Sequence, residues 1–386
     1  MDVKDVSSVV NGAVKQVLGS AAVTSEDLSN LVEIGAALGT AANYDAFTGA
    51  LLDRIYKTEF RDLEISMPVP NVLMDAHDYG NIKQKVRWKS LPEAEADPRW
   101  DLEDGTTYDQ DKVKKPAISS IVFNHAKALQ VWDTIPMEQT KSAFLSADAM
   151  NEYVSYLLGG LYRSMQVETS SMVLGAVANL AAETASDKTG VRLVNLLADG
   201  KADGVVGSSA SDFNLFDPAQ LRYALYRIVD TYDKMATGLP STLFNAKGIP
   251  TTSTKESTVL LVNSTFFNRA SMNLMADTFH ADLLALPNFR KIPYWQGSGT
   301  DFKFGSTGTI KCTRASDGKA VQMDNVVAIL YDYRAVGATN SEQKTTSHYN
   351  ANGDFTNYYL KWFGNWFNDL SENCVVFTAS APTVAA

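Results

Sequence analysis

Cysteine is nearly missing from this chain: Cys312 and Cys374 are the only two in 386 residues, and no C-x-x-C occurs. Two cysteines cannot build a disulfide framework, so free thiols in a reducing compartment are expected. Long apolar runs are missing as well. The longest, near 259–262 and 326–331, have strand length and fall far short of the roughly 20 residues a spanning helix needs, so no membrane is expected among the partners. The start, Met1-Asp2-Val3-Lys4-Asp5, leads into no apolar stretch and is no secretory signal. Synthesis and use in the cytosol are expected, and a beginning at Met1 argues against removal of a large pro-segment. Positive charge is in deficit: 34 Lys and Arg stand against 44 Asp and Glu, a net charge of -10. That is the wrong sign for gripping nucleic acid through its phosphates. It is compatible with merely enclosing DNA, since a wall that bound DNA tightly would hinder its passage.

Motifs of catalysis are absent too. There is no G-x-x-x-x-G-K-[ST] and no G-x-S-x-G, and Gly297-Ser298-Gly299 lacks the third glycine and the strand–helix setting of a dinucleotide fingerprint. His77, His125, His280 and His348 are dispersed, none with a second histidine at metal-ligand spacing. No catalytic residue, cofactor or metal is assigned, and no enzyme is expected.

What is present is globular: 45% hydrophobic and 20% charged residues. Val6, Val9, Val10, Val14 and Val17 recur at helical spacing; so do Leu28, Leu31, Ile34 and Leu38 after a capping-box-like Thr24–Asp27, and then Phe47, Leu51 and Ile55. Three thin amphipathic segments suit either an arm lying on a neighbour or a helical cap on the chain's own core. From Ser146, a good N-cap, to about Ala185 no proline interrupts a helical period. This predicts one helix of about 38 residues, roughly 57 Å long, bent at Gly159-Gly160, or two helices hinged there. A short helix at most is expected over 191–197. Asp217-Pro218 opens another helix with the apolar face Leu221, Leu225, Ile228, Val229 and Tyr232. Residues 258–263 read as a buried strand, and Ser264 caps a helix to about Phe279. Strands are expected beyond Pro287, 326–332 foremost, with 373–377 a plausible last one. The class is α+β.

Between about 78 and 136 the chain changes character. Ile82, Val86 and Trp88 alternate with Lys83, Lys85, Arg87 and Lys89, the mark of a strand with one apolar and one basic face. An acidic block follows, Glu93, Glu95, Asp97, Asp101, Glu103, Asp104, Asp109 and Asp111, opposed only by Arg99; then come Lys112, Lys114 and Lys115 and a second strand-like run, 118–122. The block lacks the alternating ligand pattern of a calcium loop. The pattern predicts a long hairpin with a charged tip too costly to bury in its own domain. A solvated loop is the ordinary reading of such charges, but opposite signs in blocks along one ribbon suit docking on another copy. Lys83 to Lys89, the acidic block and Lys112 to Lys115 are the candidate intersubunit contacts.

Near the C-terminus, 355–367 is dense in aromatics, with Lys361 its one cation and Asp354, Asp369 and Glu372 nearby; packing explains it better than stacking on nucleic acid. Ala335-Val-Gly-Ala-Thr-Asn-Ser341, the run from Thr345 through His348-Tyr349-Asn350 to Tyr359, and Trp366-Phe-Asn-Asp-Leu-Ser-Glu-Asn373 resemble the end of tailed-phage major capsid proteins with the Hong Kong 97-like fold. The likeness is strongest over about the last 60 residues. It implies an N-terminal arm (1–60), a connection (61–77), an extended β-hairpin loop (78–136), a peripheral domain with a long spine helix (137–186), a mainly axial domain (187–340), and a C-terminal segment (341–386) whose aromatic stretch and 373–377 return to the peripheral sheet. It further implies hexamers and pentamers of an icosahedral shell, located in the virion and assembled in the host cytoplasm. The implied partners are copies of the chain itself, a portal, scaffolding or decoration proteins, and double-stranded DNA enclosed without sequence-specific binding. An encapsulin-like compartment shares the fold and is the alternative; an unrecognised hydrolase is a distant third.

Overall fold

The structure is a computed structural model that describes residues 3–19, 29–39, 42–51, 83–94, 104–105, 111, 113–123, 126–157, 163–273, 289–293, 295, 309–314 and 316–384. The chain opens with helices α1 (Val3–Leu18), α2 (Leu31–Leu38) and α3 (42–51). Strands β1 (Lys83–Trp88), β2 (Ile118–Phe123) and β3 (Ala126–Pro136) lead to helices α4 (Met137–Ala143), α5 (Ala147–Leu157) and α6 (Arg163–Thr184). Then come β4 (Leu193–Asn195), α7 (Leu196–Ala202), α8 (Pro218–Met235), β5 (Thr258–Asn263), α9 (Ser264–Asn273) and β6 (Phe289–Ile292). The rest is strand: β7 (Ile310–Thr313), β8 (Ala320–Met323), β9 (Val326–Asp332), β10 (Val336–Asn350), β11 (Phe355–Asn368), β12 (Cys374–Thr378) and β13 (Thr383–Val384).

Two sheets carry the body. The first, ordered β10-β11-β3, is antiparallel and covered on one face. Leu129, Val131 and Ile135 of β3 and Tyr358, Leu360 and Trp362 of β11 pack beneath Val10, Val14, Leu31, Leu38, Phe47 and Leu51 of α1–α3, with Phe144 and Met150. The N-terminal helices therefore cap the chain's own core, one of the two arrangements their pattern allowed. Two glycines in this sheet mark close approaches. A Cβ on Gly364 would stand 2.8 Å from Met172 Sδ of α6, and one on Gly337 only 2.1 Å from the ring of its cross-strand partner Phe367.

The second sheet, β4-β12-β9-β5-β6, is covered on both faces. Val259 and Leu261 of β5, Ile329 and Tyr331 of β9, and Cys374 and Val376 of β12 face α6 and the small β13-β8-β7 sheet. The alternate residues, Leu260, Val262, Leu330, Val375 and Phe377, face α8 and α9. Burial on both sides explains why β5 and β9 read as unbroken apolar runs. It also accounts for the pairing of 373–377. Cys374–Thr378 has no polar face to offer a half-open sheet, and it pairs with β4 and β9 instead of the β10–β11 sheet. It is not the last strand either, because Thr383–Val384 pairs with β8.

Helix α6 joins the two cores, with Met165 in the first and Val173 to Ala182 in the second. The expected helical period is seen as α5 and α6, and residues 158–162, with the Gly159-Gly160 bend, lie outside the described residues. Ser146 caps as expected, its Oγ accepting from Ala149 N at 3.2 Å. Asp217 caps α8 in the same way, accepting from Ala219 N at 3.0 Å. The short helix foreseen at 191–197 begins later, at Leu196, because Asn195 caps it and Leu193–Asn195 is a strand paired with β12.

Candidate assembly surfaces

Among the described residues, strands β1 and β2 pair only with each other, forming a two-stranded ribbon outside both sheets of the body. Their register, Lys85 opposite Ile121 and Arg87 opposite Ser119, puts the basic residues on one face; Gln84, Val86 and Trp88 lie opposite Val122, Ser120 and Ile118 on the other. The basic face is turned inward. Lys85 Nζ donates to Glu372 Oε1 at 2.6 Å and to Asp369 Oδ2, while Arg87 donates to Glu372 Oε1 and, at 3.1 Å, to Thr251 Oγ1. Both carboxylates have fully buried side chains, and Lys85 and Arg87 are 27% and 18% exposed.

This seat is built by the turn between β11 and β12. Ser371 donates its N–H and its hydroxyl to Asp369 Oδ1, at 2.9 and 2.5 Å, a local bond that holds the turn. Thr251 Oγ1 donates to Ser371 O at 2.8 Å, and Asp369 N to Ala335 O at 2.8 Å, which ties the turn to the 237–254 loop and the short 3-10 turn Tyr333–Ala335 before β10. A third buried carboxylate, Asp332, accepts from Arg334 Nε at 2.8 Å, Arg334 Nη2 at 2.7 Å, Ser253 Oγ at 2.8 Å and Ser257 Oγ at 3.0 Å. Burial pushes the Asp332 carboxyl up, but the guanidinium and backbone N–H of Arg334, with the Ser253 hydroxyl, hold it below the usual carboxylate range. Arg334 is therefore committed to Asp332, and its Nε lies 3.9 Å from Glu372. The negative charges of Asp369 and Glu372 are matched by Lys85 and Arg87.

The apolar face of the ribbon is turned outward. Val86, Trp88, Ile118 and Val122 are 60%, 52%, 58% and 57% exposed, with the Gln84–Ser120 hydrogen bond among them. Sequence alternation identified the two faces but not which one the body would cover. Lys85 and Arg87, expected to meet a neighbour, meet their own chain. Lys83 lies in β1 opposite Phe123; Lys89, Glu93, Asp104, Lys114 and Lys115 are exposed. Glu95, Asp97, Arg99, Asp101, Glu103 and Lys112 lie outside the described residues. Phe123, at the base of the ribbon, stacks on Phe367 with ring centroids 4.9 Å apart.

The described residues thus form two helix-packed sheets and a ribbon whose basic face is seated on the body and whose apolar face is exposed. The family model for the Phi29-like phage major capsid protein matches residues 7–378. The chain belongs to that family. It is a shell protein of a tailed-phage head, a component of the virion, and the family match selects the phage head over the encapsulin-like compartment. The capsid structure of Staphylococcus phage Andhra resembles this capsid protein at a TM-score of 0.52 and 11% identity, covering 82% of this chain and 84% of that one. A structure of bacteriophage P68 that includes its head fiber and inner core protein resembles it at a TM-score of 0.49 and 10% identity, covering 82% and 87%. No curated protein matches.

Two features of this capsid protein were not foreseen. The first is the seat, because Asp369 and Glu372 are 284 and 287 positions from Lys85. The second is the open face of the first sheet, where Trp132 stands opposite Tyr359 and Lys344 opposite Lys361. The Trp132 and Tyr359 rings are 6.3 Å apart, and Lys361 lies over Tyr359 at 5.5 Å. The signal was present in the alternation of 355–367, whose odd positions form this face.

Proposed function

We propose that copies of this capsid protein assemble, in the host cytoplasm, into hexamers and pentamers of an icosahedral shell that encloses double-stranded DNA without reading its sequence. Its role is structural and not catalytic. A portal and scaffolding or decoration proteins are the further partners such a shell requires. In this reading the β10-β11-β3 sheet with α1–α6 is the peripheral domain, and the sheet covered on both faces is the axial domain. The ribbon is the base of the extended loop, and the acidic block is its tip.

One observation carries the proposal furthest: the outward face of Val86, Trp88, Ile118 and Val122. Among the described residues, four large apolar side chains on one side of a two-stranded ribbon have no core beneath them, and contiguous exposed apolar surface marks an interaction site. An isolated hairpin is marginal in water, so a neighbour that covers this face also stabilises the ribbon. The candidate contact therefore shifts from the basic stripe to the apolar one. Exposed Lys89, Glu93, Asp104, Lys114 and Lys115 would form its polar rim.

The test is a double variant, Trp88→Ser with Val122→Ser. Because neither side chain is buried in the subunit, thermal stability should stay within about 0.5 kcal/mol of wild type, while electron microscopy finds far fewer shells. Shells in normal yield from this variant would refute the assigned contact.

A further inference from the structure

The seat beneath the ribbon has a property that a simple structural ion pair would lack. Asp369 and Glu372 belong to the body; their matching cations, Lys85 and Arg87, belong to a ribbon bonded to neither sheet. Glu372 Oε2 has no hydrogen-bond partner among the described residues, so that carboxylate leans on the charges at its other oxygen. With the ribbon seated the local charge balances, Asp332, Asp369 and Glu372 against Lys85, Arg87 and Arg334; Arg334 is bonded to Asp332 and stands 3.9 Å from Glu372, so the ribbon brings the two closer cations of the seat. With the ribbon lifted, both carboxylates lose these cations. Nothing in the body then has to unfold, because the turn is held by Ser371, Thr251 and Ala335 and not by the ribbon.

We infer that Lys85, Arg87, Asp369 and Glu372 form a latch that sets the ribbon against its own subunit and fixes its apolar face outward before a neighbour arrives. A buried carboxylate that loses its cation is costly. Where the cations sit on a two-stranded ribbon that joins neither sheet among the described residues, the cheap response is for the ribbon to open. Opening would free the ribbon to turn Val86 and Trp88 toward its own body, whereas the latch holds a binding surface in its binding orientation. The role in assembly rests on the shell reading above; the latch itself does not.

The experiment is amide hydrogen exchange on the full-length subunit kept unassembled at low concentration, comparing wild type with Lys85→Met plus Arg87→Met. Exchange should accelerate at least about tenfold in 83–88 and 118–123 and stay unchanged in β5, β9 and β12, since local opening is governed by local contacts. Adding Asp369→Asn and Glu372→Gln removes the unmatched charge and should bring ribbon exchange back toward wild type. Unchanged ribbon exchange in the double variant would overturn the inference. So would acceleration spread evenly over the chain, or a quadruple variant that exchanges as fast as the double. Failure of the wild-type chain to form shells would sink the shell reading and leave this measurement intact.

Discussion

Asp332 shows how one side chain joins chain segments far apart in sequence. It lies at the end of β9, fully buried, and gathers Ser253, Ser257 and Arg334. Its pKa in the folded protein is below that of an unfolded aspartate. The stabilisation it supplies is therefore complete above about pH 4, the unfolded value, and is lost as pH falls through the lower folded value. Asp332→Asn should lower the melting temperature at pH 7 and flatten its fall on the acid side; an unaltered acid limb would contradict this assignment. The two cysteines behave as buried small hydrophobes, and burial pushes both thiols up to about 12. Gly337 is required by contact and not by backbone angle. Its added Cβ would meet Phe367 at 2.1 Å, so Gly337→Ala should cost about 1–3 kcal/mol as an overpacked site, measured by denaturant unfolding. Because Phe367 stacks on Phe123, the same change should also loosen the base of the ribbon.

At the scale of elements, local chemistry was legible wherever it acts within a few residues. The Asp217-Pro218 start of α8, the Ser146 cap and the bounds of β5 and β9 follow from caps and apolar runs alone. The ribbon marks the limit of that reading. Its period of two was plain, but alternation says only that two faces differ. Which one is buried depends on what the body offers, and the acceptors Asp369 and Glu372 lie 284 and 287 positions from Lys85, where the sequence shows only acidic residues beside an aromatic stretch. The same limit applied to β12, whose neighbours β4 and β9 are set by topology. If the ribbon is the assembly element, contact strength should depend more on apolar area than on charge. Shells from wild-type protein should then survive salt that screens exposed pairs at a Debye length of about 3 Å, near 1 M; dissociation at that salt would point to the charged tip as the main contact.

For the whole molecule, one helix and two sheets explain how a 386-residue chain carries a protruding element without losing coherence. α6 runs from the helix-capped sheet to the sheet covered on both faces, and it packs against β7, β10, β11 and β12. The ribbon leaves the body where those two parts meet, its basic face seated on the β11–β12 turn. The C-terminal residues that carried the family resemblance are largely these joining strands, β10 and β11, and the seat itself. In the proposed assembly this chain forms a shell by itself or with a scaffold, through ribbons turned apolar side out. Electron cryo-microscopy of the purified protein at assembling concentration tests it most directly. Closed particles or capsomers are expected, in which Trp88 and Val122 of each subunit lie under a neighbour. A subunit that stays monomeric with and without scaffold, or shells in which that face remains open to solvent, would contradict it.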